Sequence, residues 1–155
     1  MLFYWWNDTI GENDWSRIMN AQGKYLQFED PTVLKFDFEV NDDFDFENAT
    51  DSSDINTIVE MANTTEIDFN DDIPVYLTVF LNNDDDNAPY QITGRIMTLF
   101  QVSDQLSDDE ALQLLQNEGA SILLSYLRPM VAMMTTASGF PAMTLPMLDF
   151  SDNED

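Results

Sequence analysis

Residues 120–150 read ASILLSYLRPMVAMMTTASGFPAMTLPMLDF, and this stretch decides how the chain folds. From Gly119 onward it is apolar on both sides except at Arg128, which suits a helix buried on several faces. Pro129 removes one helix hydrogen bond and predicts a kink there. Gly139 and Pro141 end the helix. A Pro-punctuated run follows, and its apolar residues keep no regular period. Upstream, Ser107-Asp108-Asp109-Glu110 has the form of a capping box, in which serine and glutamate each satisfy the other's backbone N–H. One long helix is therefore predicted from Asp108. Leu112, Leu115, Gly119, Ile122 and Tyr126 share one of its faces, and Leu123 and Leu127 widen it.

The segments before the helix carry the period of strands. Val75, Leu77, Val79 and Leu81 alternate with Tyr76, Thr78 and Phe80, so Pro74–Leu81 is a strand. Asn82–Pro89 is an acidic turn, and Tyr90–Val102 returns to complete a hairpin. Gly94 inside it marks a bulge or a close backbone approach. Residues 33–40 place Leu34, Phe36, Phe38 and Val40 on one side and Lys35, Asp37 and Glu39 on the other, as a half-buried antiparallel strand does. Tyr25–Phe28 reads as a short strand closed by Glu29-Asp30-Pro31. Ile55–Asn63 fits a short helix or a strand, and Thr65–Phe69 a further short strand. Residues 41–54 read as an acidic loop. Near the N-terminus, Asp14–Gln22 is a helical candidate, preceded by the aromatic run Met1–Trp6.

Composition limits the chemistry. The chain has 155 residues, enough for one domain, with 44% hydrophobic and 12% aromatic residues to build its core. Thirty Asp and Glu stand against five Lys and Arg, a formal charge of −25. Such a surface repels nucleic-acid backbones and anionic membranes. Cys and His are both absent, which removes disulfides, thiol catalysis and imidazole chemistry. Asp42-Asp43, Asp71-Asp72, Asp84-Asp85-Asp86 and Asp108-Asp109 lack the glycine and glutamate of a calcium loop and read as solvated turn charge. No nucleophile, metal cluster or phosphate loop is present. The expectation is a non-enzyme without a cofactor. Met1–Trp6 lacks the basic start of a signal peptide, and Gly119–Met134 is too short to span a bilayer. A cytoplasmic protein is expected.

The order and spacing of these segments resemble the SecB-type protein-export chaperones over most of Tyr25–Phe150. Phe28-Glu29-Asp30-Pro31 resembles the Phe-Glu-x-Pro that closes that family's first strand. Ile73–Leu81 resembles its long central strand and Tyr90–Val102 the strand returning after the hairpin. Ile122-Leu123, Tyr126, Arg128 and Phe140-Pro141 fall in register with its long helix, and Leu145, Pro146 and Phe150 with the segment after it. Two departures stand out. The family usually has Pro at the position of Ser125. Beyond the position of Phe150 it continues into a second helix, which flanks the client groove, and a mobile tail, which helps recruit the SecA motor. This chain stops five residues after Phe150.

The resemblance implies an α+β fold: a four-stranded twisted antiparallel sheet with one long helix packed on one face, spanning residues 25–150. It would follow an aromatic extension over residues 1–24 and precede an acidic tail at 151–155. It implies an ATP-independent holdase for export clients or for one dedicated partner such as an antitoxin, assembled as a homodimer or homotetramer, with SecA as a further partner. Met-rich surfaces adapt to many sequences, and extended apolar segments line binding surfaces. The groove candidates are Met133, Phe140, Met143, Leu145, Met147, Leu148 and Phe150; ordinary core packing is the competing reading for them. Leu123, Tyr126, Leu127, Met130 and Met134 are candidates for contact between subunits. Arg128 is expected to act structurally, binding a carboxylate or backbone carbonyls. Met1–Trp6, with Trp15, is expected to dock near the end of the long helix. The charge alone allows a rival class, a nucleic-acid mimic that inhibits a DNA-binding enzyme. Mimicry needs carboxylates on rigid faces, and many here sit in turns.

Overall fold

Alternating β-branched and aromatic residues form five strands: β1 (Leu26–Phe28), β2 (Thr32–Val40), β3 (Ile55–Met61), β4 (Ile73–Leu81) and β5 (Tyr90–Val102). The structure, a computed structural model, describes residues 25–47, 49, 53–62 and 66–151. Met1–Trp6, the Asp14–Gln22 helix and the last four residues of the tail lie outside them.

Every pairing is antiparallel and β5 is the spine of the sheet. On one edge it holds β4, from Ile73↔Phe100 to Leu81↔Ile92, and β3 pairs with the outer side of β4. On the other edge it holds β1 and β2 end to end. The four expected lanes are present, and the first is broken into two strands at Glu29–Pro31. Pro31 has no N–H to offer a ladder. Around the break the Glu29 N–H donates to the Leu99 carbonyl at 3.1 Å, and the Thr98 hydroxyl donates to the Glu29 carbonyl at 2.6 Å.

Three local readings change. The β2 register shifts between Val33 and Lys35. Leu34 therefore leaves the face shared by Phe36, Phe38 and Val40 and is 51% exposed. Ile55–Asn63 resolves as a strand over Ile55–Met61: its Ile, Thr and Val side chains suit a pleated surface, and β4 offers a full edge to pair with. The expected strand at Thr65–Phe69 is absent over its described part. There the Asp68 carboxylate accepts from the Asn70 N–H at 3.0 Å and bends the chain into a turn.

The long helix starts where the capping box puts it. Glu110 N–H donates to the Ser107 hydroxyl at 3.3 Å, and Ser107 N–H donates back to the Glu110 carboxylate at 2.9 Å. Those bonds from the Ser107 backbone and hydroxyl hold the Glu110 carboxyl below its usual range. This cap therefore contributes at neutral pH and is lost as acid protonates Glu110. The helix runs as α1 (Asp108–Leu114), a π turn (Leu115–Gly119) and α2 (Ala120–Ala137), which passes through Pro129. A π turn takes in one residue more than an α turn. Downstream of it the buried face moves on by one position. Leu123 and Leu127 face inward where the plain helical period selects Ile122 and Tyr126, and Tyr126 is 43% exposed. Gly139, at φ +84°, ends the helix.

Helix and sheet touch closely at two glycines. A Cβ on Gly94 would lie 3.4 Å from Leu127, and one on Gly119 would lie 3.4 Å from the Phe100 ring. Gly94 thus serves a close approach, not a bulge. The face toward the helix holds Val75, Leu77, Ile96 and Phe100, all essentially inaccessible to solvent. On the opposite face Arg95 pairs with Glu60 at 3.0 Å and sits 5.1 Å over the Tyr76 ring.

A candidate client-binding strap on the long helix

After Gly139 the chain turns back along α2 as a strap, residues 140–150, with no helix or strand of its own. A segment without a ladder must find other partners for its backbone. Arg128 supplies one: its Nε donates to the Leu145 carbonyl at 2.7 Å, and Nη1 lies 3.2 Å from the Met147 sulfur. Thr135 supplies another. Its hydroxyl accepts from the Met143 N–H at 2.9 Å and donates to the Val131 carbonyl at 2.8 Å. Arg128 is one of three described cations and has no carboxylate partner among the described residues; Lys35 and Arg95 both have one. Its bonds to the strap are those of a structural clamp.

The strap is pinned by apolar anchors too. Leu145 is fully buried and Phe150 is 3% exposed. These two groove candidates belong to the buried hydrophobic core. Leu123 and Leu127, expected between subunits, are likewise buried against the chain's own sheet. Phe140, Met143 and Leu148 are half-buried against the core. Met133 and Met147 stand out at 64% and 62% exposure. Tyr126 is exposed, and Met130 and Met134 are half-buried, Met130 against the core.

At its start the strap meets an aromatic cluster. Phe140 stacks on Phe46 with ring centres 5.3 Å apart and meets Phe44 edge-on at 5.4 Å. Tyr90 approaches Phe140 at 6.4 Å, and its hydroxyl donates to the Pro141 carbonyl at 3.4 Å. Burial raises the Tyr90 pKa. Phe46 remains 67% exposed. Sequence reasoning missed Phe44 and Phe46 inside the acidic loop, although Phe44-Asp45-Phe46 holds an apolar alternation. It also missed Thr135, which ordinary helical patterning does not flag.

Substituting Thr135→Val keeps the side-chain shape but leaves the Met143 N–H without its acceptor. The expected cost is about 2 kcal/mol, measured as a lower denaturant midpoint at unchanged slope. An unchanged midpoint would mean the hydroxyl does not hold the strap.

Elsewhere, a hollow lined by Glu39, Asp42, Asp43, Asp86 and Gln91 opens beside the hairpin. Among the described residues no group of carboxylates is placed to hold a metal ion. Nor, among those residues, is any helix long and apolar enough to cross a membrane.

The family model of the preprotein translocase subunit SecB matches residues 21–152. The chain belongs to the SecB family. Members of this family are chaperones, not enzymes. Among solved structures, the chain is similar to the SecB-like chaperone Rv1957 of Mycobacterium tuberculosis, determined in complex with a ChAD peptide from the antitoxin Rv1956 (HigA1). Identity is 17%, the TM-score is 0.57, and the match covers 81% of this chain and 88% of that one. A protein of unknown function from Streptococcus agalactiae also matches, at 20% identity and a TM-score of 0.46, over 78% of this chain and 96% of that one. No curated protein sequence matches. The α+β arrangement of antiparallel sheet and single long helix is the SecB-like fold.

Proposed function

We propose that this SecB-family chain is an ATP-independent holdase. It keeps extended apolar segments of unfolded clients from folding and aggregating. The observation that carries this reading is the exposure of Met133 and Met147, at 64% and 62%, on a strap and helix that are otherwise firmly tied down. Exposed methionines offer an adaptable apolar surface, and a clamped strap needs little ordering when a segment arrives. Phe46 and Phe140 offer aromatic area of their own at the start of the strap. Holding alone needs neither nucleotide nor catalytic residue. The charge of −25 keeps a loaded complex in solution.

The client is an unfolded preprotein or one dedicated partner. The antitoxin peptide in the complex of the Mycobacterium tuberculosis neighbour favours a peptide segment as the bound form. SecA is a further partner in this reading, and the cytoplasm its setting. Subunits pair as a homodimer or homotetramer, with Tyr126, Met130 and Met134 as contact residues.

Two measurements test the proposal. The protein should suppress aggregation of an unfolded client without nucleotide and at near-stoichiometric ratios. Light scattering at micromolar concentration should give a dimer or tetramer mass. A monomer removes the assembly. Untouched aggregation, together with inhibition of a DNA-binding enzyme, replaces the holdase by the nucleic-acid mimic.

A further inference from the structure

From the strap geometry we infer that Met133 and Met147 are sites of reversible oxidation, and that their sulfoxides switch client holding off. The inference rests on the holdase reading. Four observations lead to it. The chain has no Cys, so two-electron oxidation of sulfur can fall only on methionine. Of its nine methionines, Met133 and Met147 are the ones described as strongly exposed; Met61, Met97, Met130, Met134 and Met143 are all half-buried. Both sit on the surface assigned to clients. Finally, the Met147 sulfur already lies 3.2 Å from Arg128 Nη1.

The reaction is oxygen transfer from a peroxide. A sulfur lone pair attacks one peroxide oxygen, the O–O bond breaks, an S–O bond forms and water or an alcohol leaves. The sulfur loses two electrons and the peroxide gains them. Reduction by a thiol-dependent methionine sulfoxide reductase restores the thioether. At Met147 the product gains a partner. A thioether sulfur is a weak acceptor, whereas a sulfoxide oxygen is a strong one, and the guanidinium beside it is a charged donor. Oxidation therefore anchors a polar group over the strap. An apolar client segment would have to cover that group and strip its water. The chaperone would lose grip on its clients without losing its fold.

The test treats full-length protein with dilute hydrogen peroxide and maps sulfoxides by peptide mass spectrometry. Met133 and Met147 should oxidise at least about tenfold faster than the half-buried methionines. Oxidised protein should need about tenfold more chaperone to suppress aggregation, and sulfoxide reductase with dithiothreitol should restore the original dose. In the Met133→Leu/Met147→Leu double variant, the ratio of treated to untreated activity should stay at one, whatever its starting activity. If half-buried methionines oxidise as fast, the site assignment is wrong. Suppression that survives with sulfoxide confirmed at both positions overturns the switch. A protein that never suppresses aggregation, oxidised or not, removes the holdase reading and the switch with it, and the mapping then decides the modification sites alone.

Discussion

Replacing Phe100 by alanine should destabilise the fold by about 4 kcal/mol. Phe100 is the largest of the fully buried side chains. It stands where three parts of the fold meet. In register it lies between Phe28 of β1 and Ile73 of β4, and its ring lies under Gly119 of the π turn. The Phe28 ring adds a tilted contact at 5.8 Å. Removing the ring leaves a void that a glycine above it cannot fill. For a domain of this size the loss corresponds to a melting temperature lower by about 10 °C. Denaturant unfolding followed by circular dichroism measures it. A cost under about 1 kcal/mol would mean that the helix does not rest on this ring.

The largest functional effect is expected from Met133→Asp combined with Met147→Asp. Both side chains are mostly in water, so stability should stay within about 0.5 kcal/mol of the parent. A client covering them would have to strip water from two carboxylates. Client affinity should fall by at least about tenfold, which is about 1.4 kcal/mol. Ile58→Asp is the control. Ile58 is 50% exposed and lies opposite Thr78 in register, on the sheet face away from the helix. It adds the same sign of charge far from the strap and should leave holding unchanged. Equal losses in the two variants would trace the effect to bulk charge and not to the strap.

The sheet was legible because a strand advertises itself residue by residue. Val75 to Leu81 alternates throughout, Tyr90 to Val102 does so apart from Gly94 and Thr98, and their pairing follows from the turn between them. The helix start was legible because the Ser107–Glu110 pair is local. What stayed hidden depends on partners distant in sequence or on a change of period. Leu34 drops out of its face only through a register shift against β5. Tyr126 looks inward under an α-helical period and turns outward once the π turn has added a residue, while Ile122 stays half-buried at the edge of the core. Phe44 and Phe46 gain meaning only from Phe140, nearly a hundred positions on. Thr135 is unremarkable until Met143 needs an acceptor. In the strap, sequence shows that Leu145 and Phe150 are apolar but not whether they face a client or the core. Their burial assigns them to the core.

The π turn makes one stretch of this helix unusually tolerant of shortening. In a plain α-helix the loss of one residue swings everything beyond it around the axis by about 100°. Here an extra residue is already stored between Leu115 and Gly119. Excising Asn117 would let the turn relax into ordinary α-helix, with Leu123, Leu127 and Val131 still pointing at the sheet. The same excision a few turns later, beyond Leu127, would carry Val131 and Thr135 away from the sheet and release the strap. Length variation among proteins sharing this helix is therefore expected to gather at the π turn, where it leaves the phase of the buried face intact.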